Sequence, residues 1–189
     1  MNHQPRKPLA MIIAFEAGLG VVAVMLALIF GLSPWLDFQF NAAAWWLGLL
    51  ATVPMLVGLV VFRSGTWRWA RELHDFVRQV VVPLFRGAPW WGIMLVALAA
   101  GIGEELLFRG VIQAGLEKLL GPLAGLLLAS LLFGLAHAMT RAYFIVTAIV
   151  GVYLGLLYQW TGNLLIPVIV HFLYDWVALQ FYVSRYGRG

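Results

Sequence analysis

The chain has 189 residues, of which 63% are hydrophobic and only 11% charged. Soluble domains carry about half apolar and about a quarter charged residues, so this composition excludes an ordinary water-soluble protein and makes the bilayer its solvent. The net charge of +4 does not point to nucleic acid, because the basic residues fall in loops between apolar segments, as orientation signals do. The absence of Cys removes disulfides, thiolate metal ligands and a cysteine nucleophile from consideration.

In chain order, six segments are expected to be long and apolar enough to cross a core of about 30 Å, which requires roughly 20 helical residues. They run approximately over 9–32, 43–62, 90–116, 122–137, 142–160 and 164–183. Trp35, Trp45, Trp46, Trp90, Trp91 and Trp160 flank these runs as interfacial anchors. The first segment is too long for a signal-peptide core and is read as a retained helix. Between the second and third, Leu73, Phe76, Val77, Val80, Val81 and Leu84 recur at helical spacing opposite Arg71, Glu72, Asp75, Arg78 and Gln79. That stretch, 66–85, reads as an amphipathic helix lying on the cytoplasmic face of the membrane. The expected fold is all-α: a polytopic transmembrane bundle of about six spans plus this interfacial helix. Residues 1–189 form a single domain, with its core over about 90–183. The pairs Gly121/Gly125 and Gly151/Gly155 mark close helix contacts.

Orientation follows from the basic residues. Arg6, Lys7, Arg63, Arg68, Arg71, Arg78, Arg86, Arg141, Arg185 and Arg188 fall on one side, and Lys118 is the sole basic residue of the opposite loops. Both termini are therefore expected in the cytoplasm.

The ionisable residues inside the apolar runs carry the functional signal. A charged side chain at mid-membrane costs roughly 2.5–3.5 kcal/mol on insertion scales and marks a functional pathway by default. The third segment contains Glu104, Glu105 and Arg109. Glu105 and Arg109 are four apart in the favourable acid-before-base order and form a structural ion pair. Glu104, turned about 100° away, is left over to face the bundle. The fourth segment ends at His137, and the sixth carries His171 and Asp175 on one face. One membrane histidine alone is better read as a helix-packing hydrogen bond. Two histidines, an unpaired Glu and an Asp on three helices instead suggest a common pocket. In it Glu104 would take a proton from water and return it to a leaving amine, assisted by His137, while His171 and Asp175 would steady an oxyanion. Ser130 has no base partner in sequence, and the motif H-E-x-x-H of soluble zinc proteases is absent. Glu16, near the interface, and His74, read as solvated, are placed outside the site.

Glu104-Glu105 with Arg109, Phe133 with His137, and His171 with Asp175 together resemble the CAAX protease and bacteriocin-processing (CPBP) family of intramembrane endopeptidases, whose pattern is E-E-x-x-x-R, F-x-x-x-H and H-x-x-x-N/D. The resemblance implies Glu104 and His137 as the water-activating pair and His171 with Asp175 as the oxyanion side. Glu105, Arg109 and Phe133 would be supporting residues. Asp175 stands where eukaryotic members often have Asn. No cofactor is favoured. Zinc held by Glu104, His137 and His171, with Asp175 behind them, is the alternative, and Arg109 opposes it electrostatically. The expected substrate is a membrane-associated protein or peptide, the other partner the lipid bilayer, and the location a bacterial inner membrane. The competing readings are a non-catalytic immunity or assembly partner of the same fold and a proton-coupled transporter, which the lack of internal repeats disfavours.

Overall fold

The structure, a computed structural model, describes residues 6–63 and 67–187, with side chains from residue 9. Arg188 and the start of the expected interfacial helix at residue 66 lie outside the described residues, as do the side chains of Arg6 and Lys7. The elements are α1 (Arg6–Phe30), a 3-10 turn (Pro34–Asp37), α2 (Ala42–Phe62), α3 (Arg68–Phe76), a π-helical stretch (Val77–Val81), α4 (Val82–Leu84), α5 (Trp90–Glu105), a second π-helical stretch (Leu106–Gln113), α6 (Ala114–Leu120), α7 (Pro122–Ala136), α8 (Arg141–Thr161) and α9 (Leu165–Tyr186). The chain is all-α and an integral membrane protein.

Among the described residues, five stretches are long and apolar enough to cross a membrane: Leu9–Phe30, Ala42–Phe62, Trp90–Leu120, Arg141–Thr161 and Leu165–Tyr186. The fourth apolar segment, expected to span, forms α7, which has only 15 residues and a length of about 22 Å, short of the roughly 30 Å apolar core. Local chemistry sets its bounds. Gly121, at φ 87°, breaks the chain away from α6, and Pro122 opens the helix where its missing N–H costs nothing. His137 leaves helical geometry at the other end, and Thr140 caps the start of α8 by accepting from the Tyr143 N–H. The 31-residue stretch Trp90–Leu120 exceeds the apolar core and must tilt or project beyond it.

The stretch Arg68–Leu84 is helical, with α3 carrying the polar face expected of it. His74 is not solvated as expected. Its Nδ1 lies 3.2 Å from the Tyr182 hydroxyl of α9, and its ring sits edge-on against Tyr186. Burial and the neighbouring Arg78 hold this imidazole below its ordinary pKa.

α5 packs between α1 and α9, α2 lies along α9, and α7 lies along α8. Glycines permit these approaches. A Cβ on Gly103 would strike the Glu16 carbonyl of α1 and come within 3.3 Å of the Gly20 nitrogen, while one on Gly101 would come within 3.1 Å of the Phe172 nitrogen of α9. In lipid, where no hydrophobic effect draws helices together, such small-residue seams supply the packing. Gly151 belongs to a similar seam, its missing Cβ facing Ser130 of α7 at 3.0 Å.

Candidate active site

The ionisable groups of three sequence blocks meet between α5, α7 and α9. Glu105 is fully buried, and its Oε1 accepts two bonds: from the Arg109 guanidinium at 2.9 Å and from His171 Nδ1 at 2.7 Å. The expected Glu105–Arg109 pair is present, and the bond to His171 adds a task that helical spacing alone did not reveal. Arg109, 1% exposed, is anchored further by donating to the Gly151 carbonyl of α8 at 3.2 Å, and its Cζ stands 4.4 Å from the centre of the Phe133 ring. A buried guanidinium is tolerable only when its charge and donors are matched in this way.

Phe133 is the hub of the arrangement. Its ring meets Phe108 edge-on at 5.0 Å, His137 at 4.7 Å and His171 at 6.1 Å between centroids. One aromatic side chain thus sets the position of the cation and of both imidazoles.

The two histidines differ in what they leave free. His137 Nδ1 lies 2.8 Å from the Phe133 carbonyl. A carbonyl only accepts, so Nδ1 carries the hydrogen and Nε2 of the neutral ring is a bare acceptor. That Nε2 faces Glu104 Oε2 at 3.7 Å, too far for a direct bond and suited to a water between them. His171 uses both nitrogens within the protein: Nδ1 toward Glu105, and Nε2 toward Asp175 Oδ2 at 3.4 Å. The Asp175 side chain is the most open of the group, 32% exposed.

This geometry bears on zinc. Among the described residues no group of three His, Asp or Glu is arranged to hold a metal ion. His171 has Nδ1 committed to Glu105 at 2.7 Å, while its Nε2 faces Asp175 at 3.4 Å. Ser130, 3% exposed, donates its hydroxyl to the Leu126 carbonyl at 2.7 Å, which leaves it no role as a nucleophile.

Two residues extend the site beyond the sequence reading. Tyr143, at the start of α8, faces His137 edge-on with centroids 5.9 Å apart; no spacing or charge signal marks it in sequence. Glu16, expected outside, turns inward. Its Oε2 is shielded from solvent, because α1 buries the stripe that contains Leu9, Ala23 and Ala27 as well.

Residues 86–177 match the profile of the Rce1-like family, described as type II CAAX prenyl endopeptidase. The chain is also 38% identical over 86 residues to the uncharacterized protein YpbD of Bacillus subtilis, covering 44% of this chain and 41% of that protein. It thus spans about two fifths of the length of this relative. No solved structure gives a significant match. The segment 86–177, which holds Glu104, Glu105, Arg109, Phe133, His137, His171 and Asp175, is what resembles the Rce1-like type II CAAX prenyl endopeptidase family.

Proposed function

We infer that this chain is an intramembrane endopeptidase that hydrolyses a peptide bond of a membrane-associated protein or peptide, with Glu104, His137, His171 and Asp175 as its catalytic residues. The observation that carries this reading is the gap of 3.7 Å between Glu104 Oε2 and a bare His137 Nε2. A water seated there donates one hydrogen to each acceptor and turns its oxygen lone pair outward, toward a carbonyl carbon. As the water oxygen bonds to that carbon, Glu104 takes a proton from it. When the C–N bond breaks, the same proton passes to the departing nitrogen, which leaves as an amine. His171, held at Nδ1 by Glu105, turns its Nε2–H from the looser contact with Asp175 at 3.4 Å to the oxyanion, and the closed shell around Arg109 keeps the site's charges fixed.

The reaction so written needs no metal. Access is from the cytoplasmic side of a bacterial inner membrane, with both termini in the cytoplasm. A shortfall of roughly five residues against a full span, or about 8 Å, would leave the His137 end of α7 below the membrane surface if its Pro122 end sits at the opposite interface. A recessed water-accessible site suits a substrate whose own anchor is in the same membrane.

The test uses purified chain in lipid nanodiscs and an internally quenched, farnesylated peptide ending in Cys-aliphatic-aliphatic-X. A second peptide carries a transmembrane anchor and no prenyl group. Cleavage of either, with new amine formed and rates unchanged after prolonged chelation, is the expected result. Activity lost on chelation and restored by stoichiometric zinc would overturn the metal-free mechanism. Failure to cleave any membrane-anchored peptide would overturn the enzyme reading.

A further inference from the structure

Glu16 lies outside the segment 86–177 that the family profile matches, yet it enters the same cluster. It occupies the middle of the buried face of α1, between Leu9 and Ile13 on one side and Gly20, Ala23 and Ala27 on the other. α1 meets α5 where Gly103 has no Cβ, against the Glu16 carbonyl and within reach of Gly20. The next residue of α5 is Glu104. The backbone crossing places Glu16 beside Glu104, near enough for the two carboxyls to act on each other electrostatically. Oε2 of each is shielded from solvent without a hydrogen-bond partner in the protein. An acid at this depth is costly, and an ion-pair explanation of the kind that accounts for Glu105 and Arg109 is not offered by its neighbour, which is itself acidic.

We propose that Glu16 is a positioning residue of the active site, its carboxyl holding the Glu104 carboxyl with Oε2 turned toward His137. The inference rests on the endopeptidase reading above. Two carboxyls bond to each other only if one carries a hydrogen, since a carboxylate has no donor. Held so, the pair shares one proton. Around it stand Glu105 and Arg109 of the α5 stretch, His137 at the end of α7, Tyr143 of α8, and His171 and Asp175 of α9. With this second carboxyl as a clamp, Glu104 does not need to find its orientation anew at each turnover, and the water between it and His137 meets a fixed acceptor. A displacement of about 1 Å at such a site costs on the order of 100-fold in rate.

The experiment compares the wild-type chain with Glu16→Gln and Glu16→Met in nanodiscs, using the two quenched peptides named above and infrared spectra at neutral pH. Met is apolar and of similar length, so folded yield is expected to hold or rise. Glu16→Gln keeps a donor toward Glu104, and Glu16→Met removes it. The expected result is a fall in kcat on the order of 100-fold for Glu16→Met with KM unchanged, and kcat within a few-fold of wild type for Glu16→Gln. The carbonyl band of a protonated carboxylic acid should be present in wild type and shifted or absent in Glu16→Met and in Glu104→Gln. Full kcat in Glu16→Met, an equal loss in both Glu16 variants, or an infrared band indifferent to Glu16→Met would overturn the proposal while leaving the endopeptidase reading standing. A wild-type chain that cleaves neither peptide refutes the enzyme reading, and the positioning role with it, even where the infrared band follows the pair.

Discussion

Glu105 serves two partners at once, Arg109 at 2.9 Å and His171 at 2.7 Å, with no exposure to solvent. Glu105→Gln leaves the guanidinium uncompensated and should cost about 3–5 kcal/mol of stability, read as a lower melting temperature and reduced folded yield. Adding Arg109→Met should recover part of that loss, because removing both charges is milder than stranding one; a double variant less stable than Glu105→Gln would contradict the pairing. Phe133→Leu removes the ring over Arg109 and should cost about 2 kcal/mol from that contact alone, with a fall in activity because both histidines lose a wall. At this scale the sequence was most informative where cost was highest. Charged residues in apolar runs identify themselves, and helical spacing alone separated Glu104 from the Glu105–Arg109 pair. The bond from Glu105 to His171 was not legible, since it joins helices 66 residues apart in sequence. Tyr143 carries no charge to betray it. Glu16 carries one, but its distance from the chain end suggested snorkelling, and only the crossing at Gly103 shows that it points inward.

At the scale of elements, that crossing is itself a test. Gly103→Ala places a methyl against the Glu16 carbonyl and the Gly20 nitrogen, and overpacking of this kind costs about 1–3 kcal/mol. Forcing α1 outward also withdraws Glu16 from Glu104, so activity should fall by more than the loss of folded protein explains; unaltered activity and melting temperature would show that the helices separate without consequence. The contact of α3 with α9 through His74, Tyr182 and Tyr186 predicts a pH dependence. The folded protein holds the His74 imidazole below its ordinary pKa, so between the two values the unfolded chain binds more protons. The contribution is complete above the ordinary histidine range and is lost as pH falls through the depressed value. Melting curves across that range should show a small decline that flattens in His74→Gln, with Arg78 and Asp75 on the same helix left intact. Apolar length gave the full-length helices to within a few residues of their ends. It placed the bounds of α7 almost correctly but counted it as a span, although its 15 residues fall short of the apolar core.

For the molecule as a whole, the positive-inside pattern predicts that residues 75 and 187 face the cytoplasm. Reporter fusions at both positions read this directly, and an extracytoplasmic signal at either would reverse the orientation on which substrate entry depends. All-α architecture and membrane residence follow from composition because lipid offers the backbone no hydrogen-bond partners. Which helices are neighbours does not follow, being decided by glycine seams that a single sequence does not rank. The assembled bundle brings Glu104 Oε2 and His137 Nε2 from separate helices to 3.7 Å of each other, and everything proposed about the chain's chemistry depends on a water that both would touch. The measurement that tests it most directly is single-turnover cleavage of the quenched membrane peptides by wild type and by Glu104→Gln, at matched folded protein. The account predicts a rate lower by about 100-fold to 10,000-fold in Glu104→Gln, the range expected when a general base is removed, with peptide binding retained. Cleavage by Glu104→Gln at the wild-type rate would contradict it.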